Sequence, residues 1–179
     1  MQNLTLTHIT NSNDKLLAQL LPIYIEAFPP TERRSEEQLK RLIDKNRNMY
    51  FNVLLFEGKT AGLFIYWDME DFYFLEHLAI SANMRNHKIG QQVLSWIAEN
   101  LNGLQLLEVE PEDSNEFAVR RINYYKRNGY IILDKTYQQP SYSDNNLNYP
   151  LWIMGNKETP KLSGYLNRII TEAYTNHYL

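Results

Sequence analysis

The stretch from Leu78 to Gly90 constrains the fold of this chain more than any other part of its sequence. Strand-like apolar residues end at Leu78–Ile80, a polar turn follows, and Ile89-Gly90 opens a segment with helical spacing. A turn of this kind presents consecutive backbone N–H groups at the positive end of a helix, which suits an anion. Arg85 and Lys88 add two cations, which favours a pyrophosphate over a monoanion. Many α/β proteins contain such a turn, so a purely structural role stays open at this point.

The residues before this turn predict an antiparallel meander preceded by two helices. Strand patterns cover Leu4–Ile9, Tyr50–Phe56, Thr60–Trp67 and Phe72–Ile80. The first predicted helix spans Lys15–Phe28, and the second, capped by Thr31 or Ser35, ends near Asn46.

The residues after the turn predict a mixed succession of helices and strands. Helices are predicted from Ile89 to about Leu101, over Asn115–Arg127 and over Lys161–Tyr178. Strands are predicted over Leu104–Glu110, Tyr130–Tyr137 and Leu147–Met154, the last two joined by a polar loop. The chain shows no repeat and no low-complexity linker, so we expect a single domain over residues 1–179, with residues 158–179 as a helical appendage.

Composition and charge exclude several classes of protein. A net charge of −3 without a basic stripe argues against a general nucleic-acid binder. The absence of cysteine excludes disulfide scaffolds, thiolate metal sites and cysteine nucleophiles, and the 4 histidines show no metal-ligand spacing. The apolar runs are only strand-sized, so we expect neither a signal peptide nor a membrane span, and a cytoplasmic protein.

A second segment carries a recognisable motif. Residues 125–130 read Tyr-Lys-Arg-Asn-Gly-Tyr, at the end of one predicted helix and the start of the next strand. This segment and Arg85-Asn86-His87-Lys88-Ile89-Gly90 together resemble the GCN5-related N-acetyltransferase (GNAT) superfamily, whose motifs are Arg/Gln-x-x-Gly-x-Gly/Ala and Tyr-x-x-x-Gly-Phe. Element order is similar over Leu4–Met154, and the motifs cover about Leu75–Tyr130.

The resemblance implies a fold and a cosubstrate. The implied fold is α/β, with a mixed, mostly antiparallel sheet of about seven strands, helices on both faces, a splayed strand pair that binds acyl-CoA, and an extra C-terminal helix. Acetyl-CoA is the implied cosubstrate, with no metal; its pyrophosphate would lie on the turn and its pantetheine arm along the preceding strand. The implied binding residues are Leu78, Ala79, Ile80, Arg85, Asn86, His87, Lys88, Ile89, Gly90, Gln91 and Arg121.

Two positions depart from the family pattern. Lys88 stands where the family has its first glycine, so the turn demands either a left-handed lysine or a crowded backbone, although the lysine can also contact a phosphate. Ala118 stands where many members place an asparagine seven residues before the tyrosine, and Arg121 is the expected substitute.

The implied activity is direct transfer of an acetyl group from acetyl-CoA to a primary amine. The motif makes Tyr125 the general acid for the leaving thiolate, whereas without the motif it is one of 13 tyrosines that can pack in a core. Glu76, acting through water, is the first candidate for the base, followed by Glu108 and Glu110; glutamate is also common on a half-solvated strand face. We expect His77 to be a core histidine.

The acceptor and the partners stay open. In this superfamily the acceptor is chosen mostly by Phe28–Arg34 and Tyr137–Pro150, and the acidic turn Trp67–Asp71 either attracts a cationic amine or is a solvated hairpin tip. A small polar or cationic amine, a peptide N-terminus or a lysine would fit, with no nucleic acid and no membrane, in a monomer or homodimer. The alternatives are a non-catalytic acyl-CoA-binding sensor and an α/β interaction domain.

Overall fold

The computed structural model describes residues 4–177, which contain two β-sheets and five α-helices. The strands are β1 (Leu4–His8), β2 (Met49–Phe56), β3 (Lys59–Asp68), β4 (Phe72–Ile80), β5 (Leu104–Val109), β6 (Ile131–Asp134), β7 (Gln138–Pro140), β8 (Asn148–Pro150) and β9 (Trp152–Gly155). The α-helices are α1 (Lys15–Ala27), α2 (Glu36–Lys45), α3 (Ile89–Asn100), α4 (Glu116–Arg127) and α5 (Leu162–Arg168).

The larger sheet has seven strands in the order β1-β2-β3-β4-β5-β9-β6, and β7 and β8 form a separate two-stranded sheet. The pairs β1–β2, β2–β3, β5–β9 and β6–β9 are antiparallel, whereas β4 and β5 are parallel. The predicted mixed, mostly antiparallel sheet is therefore confirmed. No helix among residues 4–177 is long and apolar enough to cross a membrane.

The described residues divide into two compact units. The first unit comprises residues 4–68 and 76–102, and the second comprises residues 69–75 and 103–177. Strand β4 contributes its first four residues to the second unit and its last five to the first. The organisation as one domain stays a prediction.

Helix α2 shows how local sequence fixes the first unit. The Ser35 side chain accepts a hydrogen bond from Gln38 N, and the Gln38 side chain accepts one from Ser35 N, forming a capping box. Ser35, rather than Thr31, is therefore the cap. Leu39, Leu42 and Ile43 are buried, as their spacing predicts.

A close approach between β3 and β4 positions the end of β4 in the first unit. Gly62 faces Ala79 so closely that a Cβ at Gly62 would collide with the Ala79 carbonyl oxygen. Ser81 N also donates to Ala61 O at 2.9 Å. The backbone around Ala79 is therefore held against a position that only glycine can occupy without displacement.

In the second unit, two of the predicted strands differ from those in the structure. The predicted strand over 147–154 is two strands, β8 and β9, and the predicted polar loop after Tyr137 contains β7. Pro150 has no N–H and ends β8, and Leu151 N donates instead to Tyr137 O at 3.1 Å. The strand predicted over Tyr130–Tyr137 shortens to Ile131–Asp134, with a register shift between Ile132 and Asp134.

The C-terminal segment also differs from its prediction. Helix α5 is followed by a π-helix over Ile169–Tyr174 and a 3-10 turn over Thr175–His177, so the single helix predicted from Lys161 is interrupted; its predicted end at Tyr178 lies outside the described residues. Leu166, Ile169, Ala173 and Tyr174 are buried. The segment therefore packs into the core of the second unit.

Candidate active site

The turn that follows β4 in the first unit has two residues in left-handed conformation. Asn86 has φ +71°, and Lys88, which precedes the first residue of α3, has φ +55° and ψ +25°. The His87 ring nitrogen Nδ1 lies 3.2 and 3.1 Å from the carbonyl oxygens of Met84 and Arg85. The left-handed lysine predicted from the missing glycine is present. Residues 85–88 are exposed, so the turn is open to a ligand.

This backbone can hold an anion. Because α3 begins at Ile89, the N–H groups of its first turn have no acceptor within the helix. Left-handed residues in a turn bring successive N–H groups to one side and form a concave anion site. Arg85 and Lys88 supply positive charge at the same turn.

Glu76 lies in a buried ion pair within the first unit. Its Oε1 accepts from Arg34 Nη1, and its Oε2 accepts from Trp67 Nε1 at 2.8 Å. The side chains of Arg34 and Glu76 are 1% and 0% exposed. Burial favours the neutral acid, but the Arg34 guanidinium and the Trp67 indole more than offset this effect and hold the pKa of Glu76 below its ordinary value.

Arg34 is the partner that sequence reasoning missed. It follows the turn between α1 and α2, its backbone N–H donates to Tyr24 Oη at 3.0 Å, and its guanidinium lies 5.6 Å from the Trp67 ring centroid. The family resemblance implies a charged acceptor-binding turn at this place. No local pattern signals that one of its arginines is buried against a strand 42 residues away.

His77 is a core residue, as expected. Its Nε2–H donates to Glu32 O at 2.9 Å, and its ring centroid lies 4.2 Å from that of Phe28 and 5.5 Å from that of Tyr24. Burial lowers the pKa of His77 to about 4. The imidazole is therefore neutral at physiological pH.

Tyr125 lies on α4 in the second unit. Its half-buried ring makes edge-on contacts with Tyr124 and Tyr130, each at 5.6 Å between ring centroids. Burial raises the pKa of Tyr125, and the positive charge of Arg121 opposes this shift. The hydroxyl is therefore protonated near pH 7 and is able to donate a proton.

Glu110 and Arg121 form an exposed pair in the second unit. Arg121 Nη1 lies 3.4 Å from Glu110 Oε2. The Arg121 side chain is 50% exposed and the Glu110 side chain is 29% exposed. Such a pair contributes little to stability. Arg121 therefore remains available to a ligand from solvent.

Glu108 lies in a polar cluster of the second unit. Its Oε2 accepts from Gln139 Nε2 at 2.7 Å and from Tyr174 Oη at 2.6 Å. Burial and the negative charge of Glu108 raise the pKa of the neighbouring Tyr137 hydroxyl. Sequence reasoning named Glu108 but none of these partners, which come from β7 and from the C-terminal π-helix.

A family model for the acetyltransferase (GNAT) family matches residues 17–130 of this sequence. The chain belongs to that family. No curated protein matches this sequence. Among residues 4–177, no group of three histidine, aspartate or glutamate side chains is arranged to hold a metal ion.

Solved structures agree with the GNAT assignment. A protein of Bacteroides thetaiotaomicron assigned to the GNAT acetyltransferases is 30% identical, with a TM-score of 0.88, and the match covers 95% of this chain and 98% of that one. Arabidopsis thaliana Naa50, solved with a bisubstrate analogue CoA-Ac-MVNAL, is 18% identical, with a TM-score of 0.60 and coverage of 87% and 99%. An aminoglycoside 6'-N-acetyltransferase solved with coenzyme A is 14% identical, with a TM-score of 0.60 and the same coverage. The last two similarities concern the fold.

Proposed function

We propose that this protein transfers the acetyl group of acetyl-CoA directly to a primary amine. The observation that carries the proposal is the exposed turn after β4, whose left-handed Asn86 and Lys88 gather backbone N–H groups at the start of α3. A pyrophosphate is the anion that best fits N–H donors flanked by Arg85 and Lys88. The pantetheine arm would then run along Leu78–Ile80, and Gln91 and Arg121 complete the proposed acyl-CoA contacts.

The proposed reaction is a direct attack of the amine on the thioester of acetyl-CoA. The amine nitrogen attacks the thioester carbonyl carbon, and a backbone N–H near Ile80 stabilises the oxyanion. As the tetrahedral intermediate collapses, the C–S bond breaks and the CoA thiolate takes a proton from Tyr125. The protonated tyrosine hydroxyl described above supports this role.

A carboxylate must accept the proton that the amine loses. Glu76, acting through water, is our proposed base, with Glu108 and Glu110 as the alternatives. The low pKa of Glu76 keeps it ionised, whereas its ion pair with Arg34 weakens its basicity. Glutamine substitutions at the three positions distinguish them, since only the true base removes the acidic limb of the pH profile of kcat.

A second candidate is a non-catalytic acyl-CoA-binding module. The strained Lys88 and the absence of the family's helix asparagine at Ala118 favour it. Such a protein would bind acetyl-CoA and release no CoA with any amine.

Thermal melting with saturating acetyl-CoA, with adenosine diphosphate as the control, is the first test. A ligand at about 100 times its dissociation constant adds roughly 2.7 kcal/mol, which moves the midpoint of a domain of this size by about 5–10 °C. Release of free CoA thiol is then followed with amino acids, aminoglycosides and peptides, because the structural relatives named above include a peptide complex and an aminoglycoside enzyme. No shift with acetyl-CoA overturns the proposal, and a shift without turnover favours the binding module.

A further inference from the structure

A hydrogen-bonded cluster of side chains surrounds Glu108 in the second unit. Two donors converge on one carboxylate oxygen, Oε2: Gln139 Nε2 at 2.7 Å and Tyr174 Oη at 2.6 Å. The donors are also joined, since Gln139 Nε2 lies 2.9 Å from Tyr174 Oη. Tyr142 extends the cluster, with its hydroxyl 3.4 Å from Tyr174 Oη and its ring centroid 4.9 Å from that of Tyr174.

The position of Tyr174 depends on the unusual C-terminal segment. Tyr174 is the last residue of the π-helix, is 2% exposed, and lies outside residues 17–130 that match the family model. Arg168, at the end of α5, holds the segment from the other side: its Nη1 lies 3.6 Å from Asp71 Oδ2 and its Nε 2.9 Å from Glu172 Oε1. Because the Arg168 pairs are partly exposed and contribute little, the buried Tyr174 anchors the segment within the second unit.

Tyr174 and Gln139 affect the charge and the orientation of the Glu108 carboxylate because both donate hydrogen bonds to it. Donors on a carboxylate oxygen stabilise the ionised form and restrict rotation of the group. The titratable groups described beside Glu108 are the hydroxyls of Tyr137 on the approach to β7 and Tyr174 on the π-helix, with Tyr142 behind Tyr174. A fixed carboxylate among aromatic rings suits an ammonium group, which can pair with the charge and contact a ring face.

We propose that Glu108 binds the ammonium group of the acceptor and that Tyr174 is the positioning residue that holds Glu108 for it. This inference rests on the proposed acetyl transfer and narrows its acceptor to an amine that arrives as a cation. It gives Glu108 a binding role in place of its alternative role as base. The ammonium releases one proton to water before the neutral nitrogen attacks, and the base proposed above takes the proton that the nitrogen loses on acylation. The inference also implies that the segment after α5 helps to select the acceptor.

The test is steady-state kinetics of Tyr174→Phe with the best amine found by CoA release. Phenylalanine keeps the ring and removes only the hydroxyl that donates to Glu108. Since hydrogen bonds to charged groups contribute roughly 10-fold or more in binding, we expect the KM for the amine to rise by about that factor, with the KM for acetyl-CoA within twofold of wild type. Tyr165→Phe is the matched control, because Tyr165 lies in α5 with its ring centroid 4.5 Å from that of Phe72, outside the Glu108 cluster, and its substitution should leave the amine KM nearly unchanged.

A double-mutant cycle shows whether Tyr174 acts through Glu108. Glu108→Gln alone should raise the amine KM at least as much, and adding Tyr174→Phe to it should change little further. If Tyr174→Phe does not fold, Glu108→Gln carries the test of ammonium binding, and an unchanged amine KM in that variant overturns the inference.

The possible failures are separable. A wild-type protein that acetylates an amine while Tyr174→Phe leaves its KM unchanged, or alters both KM values equally, retains the proposed function and loses this inference. A wild-type protein that neither melts higher with acetyl-CoA nor releases CoA with any amine loses the proposed function, and the inference falls with it.

Discussion

Arg34 and Glu76 form an ion pair in which both side chains are almost completely removed from solvent. The pair joins the turn between α1 and α2 to strand β4 within the first unit. Its geometry is supported by Trp67, which donates to the second carboxylate oxygen, and by Tyr24, which accepts from the Arg34 backbone. The turn is therefore attached to the same strand that leads into the proposed acyl-CoA site.

Removing one partner of this pair should be costly. Arg34→Met leaves the Glu76 carboxylate, and Glu76→Met leaves the Arg34 guanidinium, as an uncompensated buried charge, and each should lower the free energy of unfolding by about 3–5 kcal/mol. Arg34→Met combined with Glu76→Met should cost clearly less than the sum, because neither charge remains buried. Urea unfolding of the wild type and three variants measures this, with the exposed pair broken by Lys40→Met as the control. Additive losses would contradict the coupling.

Because His77 is neutral in the folded protein, we expect the free energy of unfolding to fall in acid. Its pKa is about 4 in the folded protein and 6.5 ordinarily, so between these values the unfolded chain binds a proton that the folded chain does not. The contribution is fully present above pH 6.5 and is lost as pH falls toward 4, by about 3 kcal/mol in total. Between pH 4.5 and 7.5, the free energy of unfolding should therefore change less in His77→Gln than in the wild type. The exposed His87→Gln is the control, and equal pH slopes for wild type and His77→Gln would rule out the effect.

The sequence predicts local structure well where short-range chemistry decides it. The Ser35 cap of α2 and the left-handed Lys88 both depend on residues within a few positions of each other. The fold and the family also follow from the order of elements and two motifs. These features need no knowledge of distant contacts.

Long-range burial is what the sequence leaves open. Nothing near Arg34 distinguishes it from the neighbouring Arg33, yet only the fold brings Arg34 to Glu76. The partners of Glu108 lie 31 and 66 residues away, on β7, which the sequence suggests is loop, and on a π-helix, which the sequence suggests is regular. Helical spacing of the apolar residues predicts that the last segment is helical. It does not predict the extra residue per turn that makes Ile169–Tyr174 a π-helix.

The left-handed Lys88 should be improved by glycine. A non-glycine residue at φ +55° is strained, so Lys88→Gly should raise the unfolding free energy by roughly 0.5–1 kcal/mol. Lys88→Ala keeps the strained backbone and removes the charge. It therefore separates the effect of backbone strain on stability from the effect of the ammonium group on phosphate binding. We expect isothermal titration to show weaker acetyl-CoA binding in both variants if the ammonium contacts a phosphate. A less stable glycine variant would contradict the strain.

Gly62 should not accept a side chain. Its Cβ would meet the Ala79 carbonyl, so Gly62→Ala must push β3 from the end of β4 and should lower both the melting midpoint and the acetyl-CoA affinity. Gly164→Ala is the matched control, because that position has open space and lies in α5, where alanine should stabilise by roughly 0.5–1 kcal/mol. Equal effects of the two substitutions would contradict the close approach.

Tyr125 should be needed for chemistry rather than for binding. Tyr125→Phe keeps the ring contacts with Tyr124 and Tyr130 but removes the acid, so kcat should fall roughly 100-fold or more with little change in the acetyl-CoA dissociation constant. Tyr124→Phe, one position earlier on α4, is the control. An unchanged kcat in Tyr125→Phe would exclude the proposed acid.

The π-helix at Ile169–Tyr174 places an extra residue in a turn of the tail. A π-helix has about one residue more per turn than an α-helix, so deleting one residue between Arg168 and Tyr174 would restore a regular helix and keep the tyrosine on nearly the same face. A tail of either length therefore presents a tyrosine toward Glu108, and the extra residue marks a position at which the length of the chain can change while the cluster does not.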